Sequence, residues 1–270
     1  VDIGLPVWTF DASGRIAPGD PAQNAEPKWT FMDGLDRLPE ALATGLHIRY
    51  RTSVASLELD GAGYHLLGPK GEELACADVV LLTPPAPRTR ALIERSRLPA
   101  PRREAIVEEL EQASYRCCLS VTLGYAQPPR ARPFYALVNA DRAHPISWLA
   151  YEHRKPGRAM AGQGVLIAQM GAAWSRDHWA DDSADVAHQV AELVSRLLGE
   201  DLDRPDWYDL EHWEDALPDG GCDSARLHAD DGLYFAGDYV AGQGRLHLAL
   251  GSGWRAAELI GRIREIGGEH

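Results

Sequence analysis

One stretch decides the fold of this chain: Gly232-Leu-Tyr-Phe-Ala-Gly-Asp-Tyr-Val-Ala-Gly-Gln-Gly-Arg-Leu-His-Leu-Ala-Leu-Gly-Ser-Gly-Trp-Arg-Ala-Ala-Glu-Leu-Ile260. It opens with a short apolar run, Leu233 to Ala236, which Gly237 and Asp238 close with turn chemistry, as is typical of a buried strand. A glycine-rich loop follows, and from Leu246 the apolar and small residues recur with helical spacing. The stretch therefore predicts a strand, a turn, a loop and a helix in that order.

Three features of this stretch suit a ligand. Asp238 stands at the carboxyl end of the strand, where ligands lie in open α/β sheets, and its carboxylate can accept hydrogen bonds from ligand hydroxyls. Gly242 and Gly244 let the backbone approach a flat ring closely because they carry no Cβ atom. The amino end of the following helix carries roughly half a positive charge and favours an anion. We therefore expect a ligand here; an ordinary strand-loop-helix without one is the alternative.

The stretch resembles the carboxyl-terminal flavin-binding signature of the amine oxidase superfamily, in which a Gly-Asp or Gly-Thr-Glu turn precedes Gly-x-x-x-Gly-Ala-x-x-Ser-Gly-x-x-Ala-Ala. Here the tail reads Gly244-Arg-Leu-His-Leu-Ala-Leu-Gly-Ser-Gly-Trp-Arg-Ala-Ala257. The resemblance implies that the cofactor is FAD and that the backbone amide of Leu246 faces the pyrimidine oxygen of the flavin. The cofactor contacts that it implies in this stretch are Gly237, Asp238, Gly244, Arg245, Leu246 and Ala249.

A second block with the same resemblance lies in the first third of the chain. The pattern predicts a short amphipathic helix that Asp33 or Asp36 starts and Gly45 stops, followed by strands over 46–50, 54–59, 64–67 and 77–83. This order of helix, strand, meander and apolar strand ending in Thr-Pro resembles the middle of the same flavoprotein superfamily. The resemblance implies that backbone groups of Val54 contact the adenine and that Thr83 and Pro84 approach the cofactor from the end of a parallel strand.

The region between these blocks has a different pattern. It predicts helices over 102–113 and 184–198 and strands over 117–125, 134–139, 146–152, 165–170 and 207–213, most of them in an antiparallel sheet. Its sequences Ile146-Ser-Trp-Leu-Ala-Tyr151 and Lys155-Pro-Gly-Arg158 resemble the renalase-like branch of the superfamily, which implies a substrate domain. An exposed basic turn is the alternative for Lys155-Pro-Gly-Arg158.

Aromatic residues stack on planar ligands, and alternate residues of a strand share one face, so this region supplies candidates for a substrate pocket. Core packing is the alternative for such aromatic residues. The candidates are Trp148, Tyr151, His153, Arg158 and Trp174, together with Arg245 and His247 from the glycine-rich tail.

Together the blocks predict a mixed α/β chain with an FAD/NAD(P)-binding-like flavoprotein fold. Residues 29–84 and 214–270 are expected to form a truncated Rossmann-type domain, and residues 1–28 and 85–213 a largely antiparallel-sheet substrate domain. The G-x-G-x-x-G turn that binds the pyrophosphate in such flavoproteins does not occur in the sequence. We therefore expect a chain shortened at its amino end, weak or no binding of FAD by the chain alone, and a partner chain that supplies the missing dinucleotide-binding segment.

Composition limits the partners of the chain. Its 270 residues are 45% hydrophobic and 25% charged, as in a globular protein, and the net charge of −13 disfavours nucleic acid and acidic membranes. No apolar run approaches the roughly 20 residues that span a bilayer. The four cysteines and ten histidines show no metal-ligand spacing. We expect a small-molecule substrate, no metal, and a reducing, cytoplasmic location.

The function that the resemblance implies is hydride transfer from a small molecule to FAD, with reoxidation by oxygen. Arg245 stands where monoamine oxidases place an aromatic residue of their amine cage, and a cation there repels a protonated amine and attracts phosphate or carboxylate. This departure favours a reduced nicotinamide nucleotide, the substrate class of renalase-like enzymes. The sequence assigns no catalytic residue. The alternatives are a non-catalytic binding or scaffold module, one subunit of a split flavoprotein, and an NAD-dependent dehydrogenase.

Overall fold

The computed structural model describes residues 1–229 and 231–267, with side chains through Arg262. The chain forms two compact units. Unit 1 consists of Val1–Ile48 and Cys117–Trp213, and unit 2 of Arg49–Arg116 and Glu214–His270.

The helices and strands of the described residues follow one another in this order: β1 Val7–Phe10, β2 Ile16–Pro18, α1 Pro21–Ala25, α2 Arg37–Leu42, β3 Ser56–Asp60, β4 Gly63–Leu67, β5 Glu73–Ala77, β6 Val80–Leu82, α3 Ala86–Glu94, α4 Ala100–Leu110, β7 Ser114–Tyr125, β8 Ala136–Asn139, β9 Ile146–Tyr151, a 3-10 helix Glu152–Arg154, β10 Gly164–Met170, α5 Ala172–Asp177, α6 Ser183–Leu198, β11 Trp207–Asp219, α7 Ser224–Leu227, β12 Leu233–Phe235, α8 Asp238–Ala241 and α9 Leu246–Gly267.

The main sheet of unit 1 has the strand order β11-β7-β10-β9-β8-β1-β2. The β1–β2, β7–β10, β9–β10 and β8–β9 pairs are antiparallel, whereas β1 and β8 are parallel. This arrangement confirms the predicted mixed fold with a largely antiparallel sheet. Both helices predicted for the region are present as α4 and α6.

Helix α6 shows how the sequence sets its own boundaries. The side chain of Asp182 accepts a hydrogen bond from the Ala184 N–H and caps the first turn, and Gly199 ends the helix with a φ of 61°. Between them the apolar residues recur every three or four positions, so one face is buried in the core of unit 1. Val186, Val190 and Val194 on that face are fully buried.

Unit 2 contains two small sheets. The strands β3, β4 and β5 form an antiparallel meander, and β6 pairs with β12 in parallel. On the meander, the His65 ring nitrogens lie 2.9 Å from a Glu73 carboxylate oxygen and 3.1 Å from an Asp60 oxygen. These two carboxylates, Glu73 first, raise the pKa of His65 because they stabilise its charged form.

Two predicted strands differ from the structure. Residues 46–50 form no strand, and Leu46, Ile48 and Tyr50 are exposed without a ladder partner. The predicted strand over 77–83 is interrupted, because β5 ends at Ala77 and β6 begins only at Val80. The carbonyl oxygen of the intervening Asp78 lies against the backbone of Gly232, which has a φ of +85°.

The boundaries of the compact units also differ from the predicted domain boundaries. Segment 29–48 belongs to unit 1, where Thr30 receives a hydrogen bond from Arg158, and segment 85–116 belongs to unit 2. Helices α3 and α4 of that second segment bury Ile93, Ile106 and Leu110 in the core of unit 2. The roles of the units, cofactor binding and substrate binding, stay predictions.

Within the described part of the chain, none of the helices combines the length and apolarity that crossing a bilayer requires.

Candidate functional site

Two predicted cofactor segments meet where β6 and β12 end. Because these strands are parallel neighbours, with Leu82 opposite Phe235, the residues that follow them emerge at the same edge. A Cβ atom built on Gly237 would lie 3.5 Å from the Thr83 carbonyl oxygen. Thr83 and Pro84 are exposed at this edge. We call residues 83–84 together with 237–249 the strand-end corner.

Gly237 adopts a conformation that other residues rarely adopt. Its φ is +143°, and a Cβ atom there would come within 3.0 Å of the Tyr239 ring. Its N–H donates a hydrogen bond of 2.8 Å to the Ser252 hydroxyl. The chain then turns directly into α8, and the Tyr239 hydroxyl donates back to the Leu82 carbonyl oxygen at the end of β6. The turn is thus attached to both strand ends and to α9.

Asp238 is the acidic group of the strand-end corner. Its half-buried carboxylate accepts a 2.5 Å hydrogen bond at Oδ1 from the Tyr115 hydroxyl. No hydrogen bond or ion pair reaches Oδ2 from any residue that the structure describes. Burial, and then the hydrogen bond to Asp238, raise the pKa of Tyr115 far above its usual range, so the phenol stays protonated. One carboxylate oxygen is therefore available to accept a hydrogen bond from a ligand.

Ser252 ties the start of α9 to the turn. The side chain is 2% exposed, accepts the Gly237 N–H, and donates to the Ala249 carbonyl oxygen at 2.7 Å. In the loop before α9, a Cβ atom on Gly244 would lie 2.4 Å from the Leu217 side chain, so this glycine permits close contact with the end of β11. The loop therefore packs against the end of β11, and α9 is bonded to the turn at Gly237.

The amino end of α9 presents main-chain donors. The N–H groups of Leu248 and Ala249 both bond to the Arg245 carbonyl oxygen at 3.0 Å. Those of Leu246 and His247 form no hydrogen bond among the described residues. Both residues are exposed, and Leu246 has 57% of its surface accessible. These free N–H groups at a helix amino terminus provide partial positive charge for an anionic ligand.

Two further predicted residues, Arg245 and Val54, also lie in unit 2. Arg245 is exposed, and its guanidinium group donates one hydrogen bond among the described residues, to the carbonyl oxygen of the neighbouring Gly244 at 3.3 Å. Val54 packs partly buried against the core of unit 2 where the meander begins. Arg245 is thus available to a charged ligand, and Val54 has its side chain turned into protein.

The predicted substrate residues of unit 1 do not form one wall. Trp148 and Tyr151 are three residues apart on β9 and project from opposite faces of the sheet, because successive strand residues alternate. Tyr151 is fully buried in the core beside Phe134, with ring centroids 5.7 Å apart. Trp148 packs against Tyr135 on the other face, with ring centroids 6.4 Å apart. The prediction that both residues line a single pocket is therefore wrong.

His153 and Trp174 make structural contacts in unit 1. His153 Nδ1 lies between the main-chain N–H and C=O of Val165, at 3.1 and 2.9 Å, and burial lowers the pKa of this histidine. Trp174 packs against the core and stacks on His178 with ring centroids 4.0 Å apart. Both contacts account for these side chains without a ligand.

The Lys155-Pro-Gly-Arg158 turn packs against residues 30–33 of the same unit. Arg158 Nη2 donates to the Thr30 hydroxyl at 3.1 Å, and Lys155 pairs with Glu152. A Cβ atom on Gly157, whose φ is +74°, would lie 3.2 Å from the Asp33 nitrogen. The turn is therefore packed against protein and is not simply an exposed basic turn.

Sequence reasoning missed Tyr115 and the structural role of Ser252. Tyr115 lies 123 residues before its partner Asp238, and no local pattern links the two. Ser252 was visible as part of the Ser-Gly of the tail, but its bond to Gly237 appears only in the fold. No group of three or more histidine, cysteine, aspartate or glutamate side chains in residues 1–229 and 231–262 is placed to hold a metal ion.

In fold, the chain is similar to solved structures of a protoporphyrinogen oxidase and of amine oxidases. The chain belongs to the family of flavin containing amine oxidoreductases, whose model matches residues 20–261.

Three solved structures show the similarity of fold. A provisionally assigned protoporphyrinogen oxidase from Exiguobacterium sp. 255-15 is 24% identical with a TM-score of 0.64 over 88% of this chain and 51% of that protein. Cyclohexylamine oxidase from Brevibacterium oxydans IH-35A is 16% identical with a TM-score of 0.68 over 90% and 55%. Putrescine oxidase bound to putrescine is 18% identical with a TM-score of 0.63 over 85% and 53%. The chain thus spans about half the length of these proteins.

Proposed function

We propose that the chain takes part in the FAD-dependent oxidation of a small molecule and that the strand-end corner holds the flavin. The observation that carries the proposal is that Gly237 and Asp238 follow one of two parallel strands and that Gly237 is bonded to Ser252 in the second turn of α9. A free carboxylate oxygen and two free main-chain N–H groups fit a ring system that carries a hydroxylated chain. Membership of the flavin containing family supports the same cofactor.

Each part of the strand-end corner has a distinct task in this proposal. Asp238 Oδ2 accepts a hydrogen bond from a hydroxyl of the ribityl chain. The N–H groups of Leu246 and His247 stabilise negative charge at the pyrimidine edge, because hydrogen bonds to an anion are stronger than those to a neutral group. Thr83, Pro84 and Gly244 line the approach, and backbone groups of Val54 contact the adenine. When bound, FAD would supply the redox chemistry, as the acceptor of a hydride from the substrate and the donor of electrons to oxygen.

The substrate class follows from charge. The exposed guanidinium of Arg245 repels a protonated amine and attracts a phosphate or carboxylate. We therefore favour a substrate with an anionic group, and a reduced nicotinamide nucleotide has both a planar ring and phosphates. The two oxidases named above for cyclohexylamine and putrescine act on amines by their names, so Arg245 would distinguish this chain from them.

The open edge of β6 supports a partner segment. The parallel register turns the N–H and C=O of Leu81 away from β12, and neither group forms a hydrogen bond among the described residues. The outer edge of β12 is different, because His228 bonds to the backbone of Phe235 and Asp231 to that of Leu233. A strand from a dinucleotide-binding segment, in the same polypeptide or in a second chain, would therefore pair with β6. In this arrangement unit 2 is the cofactor side and unit 1 the substrate side.

Location is part of the same proposal. All four cysteines are free, and their number in a chain of this length fits a reducing compartment. We place the protein in the cytoplasm on this basis.

Flavin binding tests the function. The chain is titrated into FAD while flavin fluorescence is followed, with and without an added dinucleotide-binding segment that carries G-x-G-x-x-G. We expect weak saturable binding by the chain alone, tighter binding with the segment, and loss of both in Asp238→Asn. Asp223→Asn, an exposed carboxylate of the same unit, is the matched control and should bind as the unmodified chain does. No saturable binding in either setting, or selective binding of NAD, would overturn the proposal.

A further inference from the structure

Tyr115 is directed at the strand-end corner by the residues on either side of it. The Ser114 hydroxyl donates to the Asp219 carbonyl oxygen at 3.2 Å, and Arg116 Nε contacts the Asp219 carboxylate at 2.8 Å. Because alternate residues of a strand project to opposite faces, these two anchors turn the Tyr115 side chain the other way. Its hydroxyl there donates to Asp238 Oδ1 at 2.5 Å.

This hydrogen bond determines how Asp238 can meet a ligand. The last torsion of an aspartate side chain has a broad energy minimum, so an unheld carboxylate rotates readily. A short bond from a hydroxyl to a carboxylate oxygen is among the stronger hydrogen bonds in proteins. With Oδ1 of Asp238 occupied, Oδ2 is the oxygen of this carboxylate that has no partner among the described residues.

We propose that Tyr115 is a positioning residue that fixes the Asp238 carboxylate so that Oδ2 accepts a hydroxyl of the flavin's ribityl chain. The inference rests on the proposed function, since it assigns a residue to the same site. Burial keeps Tyr115 protonated, so the phenol acts as a donor throughout the neutral pH range. Tyr115 therefore contributes to binding of the hydroxylated chain and not to binding of the ring.

Two flavins separate these contributions. Riboflavin carries the ribityl chain without phosphate, and lumiflavin carries the ring without the chain. Each is titrated with the chain while flavin fluorescence is followed, for the unmodified protein and for Tyr115→Phe. We expect the unmodified protein to bind riboflavin more tightly than lumiflavin. The variant should lose about tenfold in riboflavin affinity, the effect of one hydrogen bond to a charged group, and keep its lumiflavin affinity.

Tyr64→Phe is the matched control. The Tyr64 hydroxyl also donates within unit 2, to the Asp231 carbonyl oxygen at 2.8 Å, and it does not contact Asp238. This variant should keep both affinities, and thermal unfolding of both variants reports any general loss of structure.

Three outcomes would overturn the inference. Equal loss of both flavins in Tyr115→Phe would show a general structural role, and unchanged riboflavin affinity would show that Asp238 needs no positioning. Failure of the unmodified protein to distinguish the two flavins would show that the ribityl chain makes no such contact. A fourth outcome concerns the proposed function itself: if the unmodified protein binds neither flavin, with or without the dinucleotide-binding segment, the proposed function and the inference both fail.

Discussion

Replacing Ser252 by alanine should affect both stability and flavin binding. The Ser252 hydroxyl is the acceptor for the Gly237 N–H, at 2.8 Å, in a side chain that is only 2% exposed. Without the oxygen, this main-chain donor is left unpaired in a partly buried turn, which costs about 1–3 kcal/mol. At about 2 kcal/mol, the ratio of folded to unfolded protein falls roughly 30-fold.

Unit 2 offers a closely matched control in Ser96. This serine is also 2% exposed, accepts the Leu57 N–H at 2.8 Å and donates to the Leu92 carbonyl oxygen at 2.8 Å. Its replacement by alanine removes the same two kinds of bond, one accepted from a main-chain N–H of another segment and one donated to a carbonyl oxygen of the preceding helical turn. Ser96→Ala should therefore lower the free energy of unfolding by a similar amount without loosening the turn that carries Asp238.

Two measurements on both variants decide the matter. Urea unfolding, followed by tryptophan fluorescence, gives the free energy of unfolding. Riboflavin titration without urea, at a temperature well below the melting temperature, gives the affinity for the flavin. We expect similar losses of stability but weaker riboflavin binding only in Ser252→Ala, because only that variant releases Gly237 from α9. The reasoning fails if Ser252→Ala is as stable as the unmodified chain, or if Ser96→Ala weakens riboflavin binding as much.

Three other perturbations test single features of unit 2. Because the pKa of His65 is raised in the folded state, its contribution to stability is present below about pH 6.5 and is lost as the pH rises through the folded pKa. The variant His65→Gln should therefore be less stable than the unmodified chain near pH 6 and equally stable near pH 9. A difference in stability that does not change with pH would refute this. Gly232 and Gly71 have similar φ angles of +85° and +78°, but of the two only Gly232 would bring a Cβ atom within 2.4 Å of a carbonyl oxygen. Gly232→Ala should therefore lower the melting temperature much more than Gly71→Ala does. Equal shifts of the melting temperature would contradict the clash. Alkylation of the native protein, followed by peptide mass spectrometry, should label exposed Cys76 well before buried Cys222. Burial raises the pKa of the Cys222 thiol to about 12, so little reactive thiolate is present. Early labelling of Cys222 would show that its surroundings open.

The strand, the Gly-Asp turn and the helix at 246 could be predicted because their signals are local. An apolar run, a glycine with positive φ and helical spacing each lie within a few residues of one another. The contact between Tyr115 and Asp238 could not, since it joins residues 123 positions apart through the packing of β7. The predicted strand over 46–50 failed for a related reason. Its apolar residues suit a strand, but a strand forms only where a partner lies beside it, and none does among the described residues.

Trp148 and Tyr151 show a different limit of sequence reasoning. Their strand was predicted correctly, but the alternation that was used to support them as pocket candidates puts positions 148 and 151 on opposite faces. The structure places Tyr151 in the main core of unit 1, where its ring packs against that of Phe134. Aromatic character therefore indicated burial more than ligand contact in this unit.

The strand-end corner separates the residues that hold its shape from those that would face a ligand. Ser252, Tyr115 and Tyr239 bond to main-chain groups or to the Asp238 carboxylate and so fix the turn. Arg245 and His247 are exposed and bear none of these bonds. We therefore expect substitutions at these two exposed positions to leave the geometry of the turn unchanged, because neither side chain takes part in the bonds that fix it.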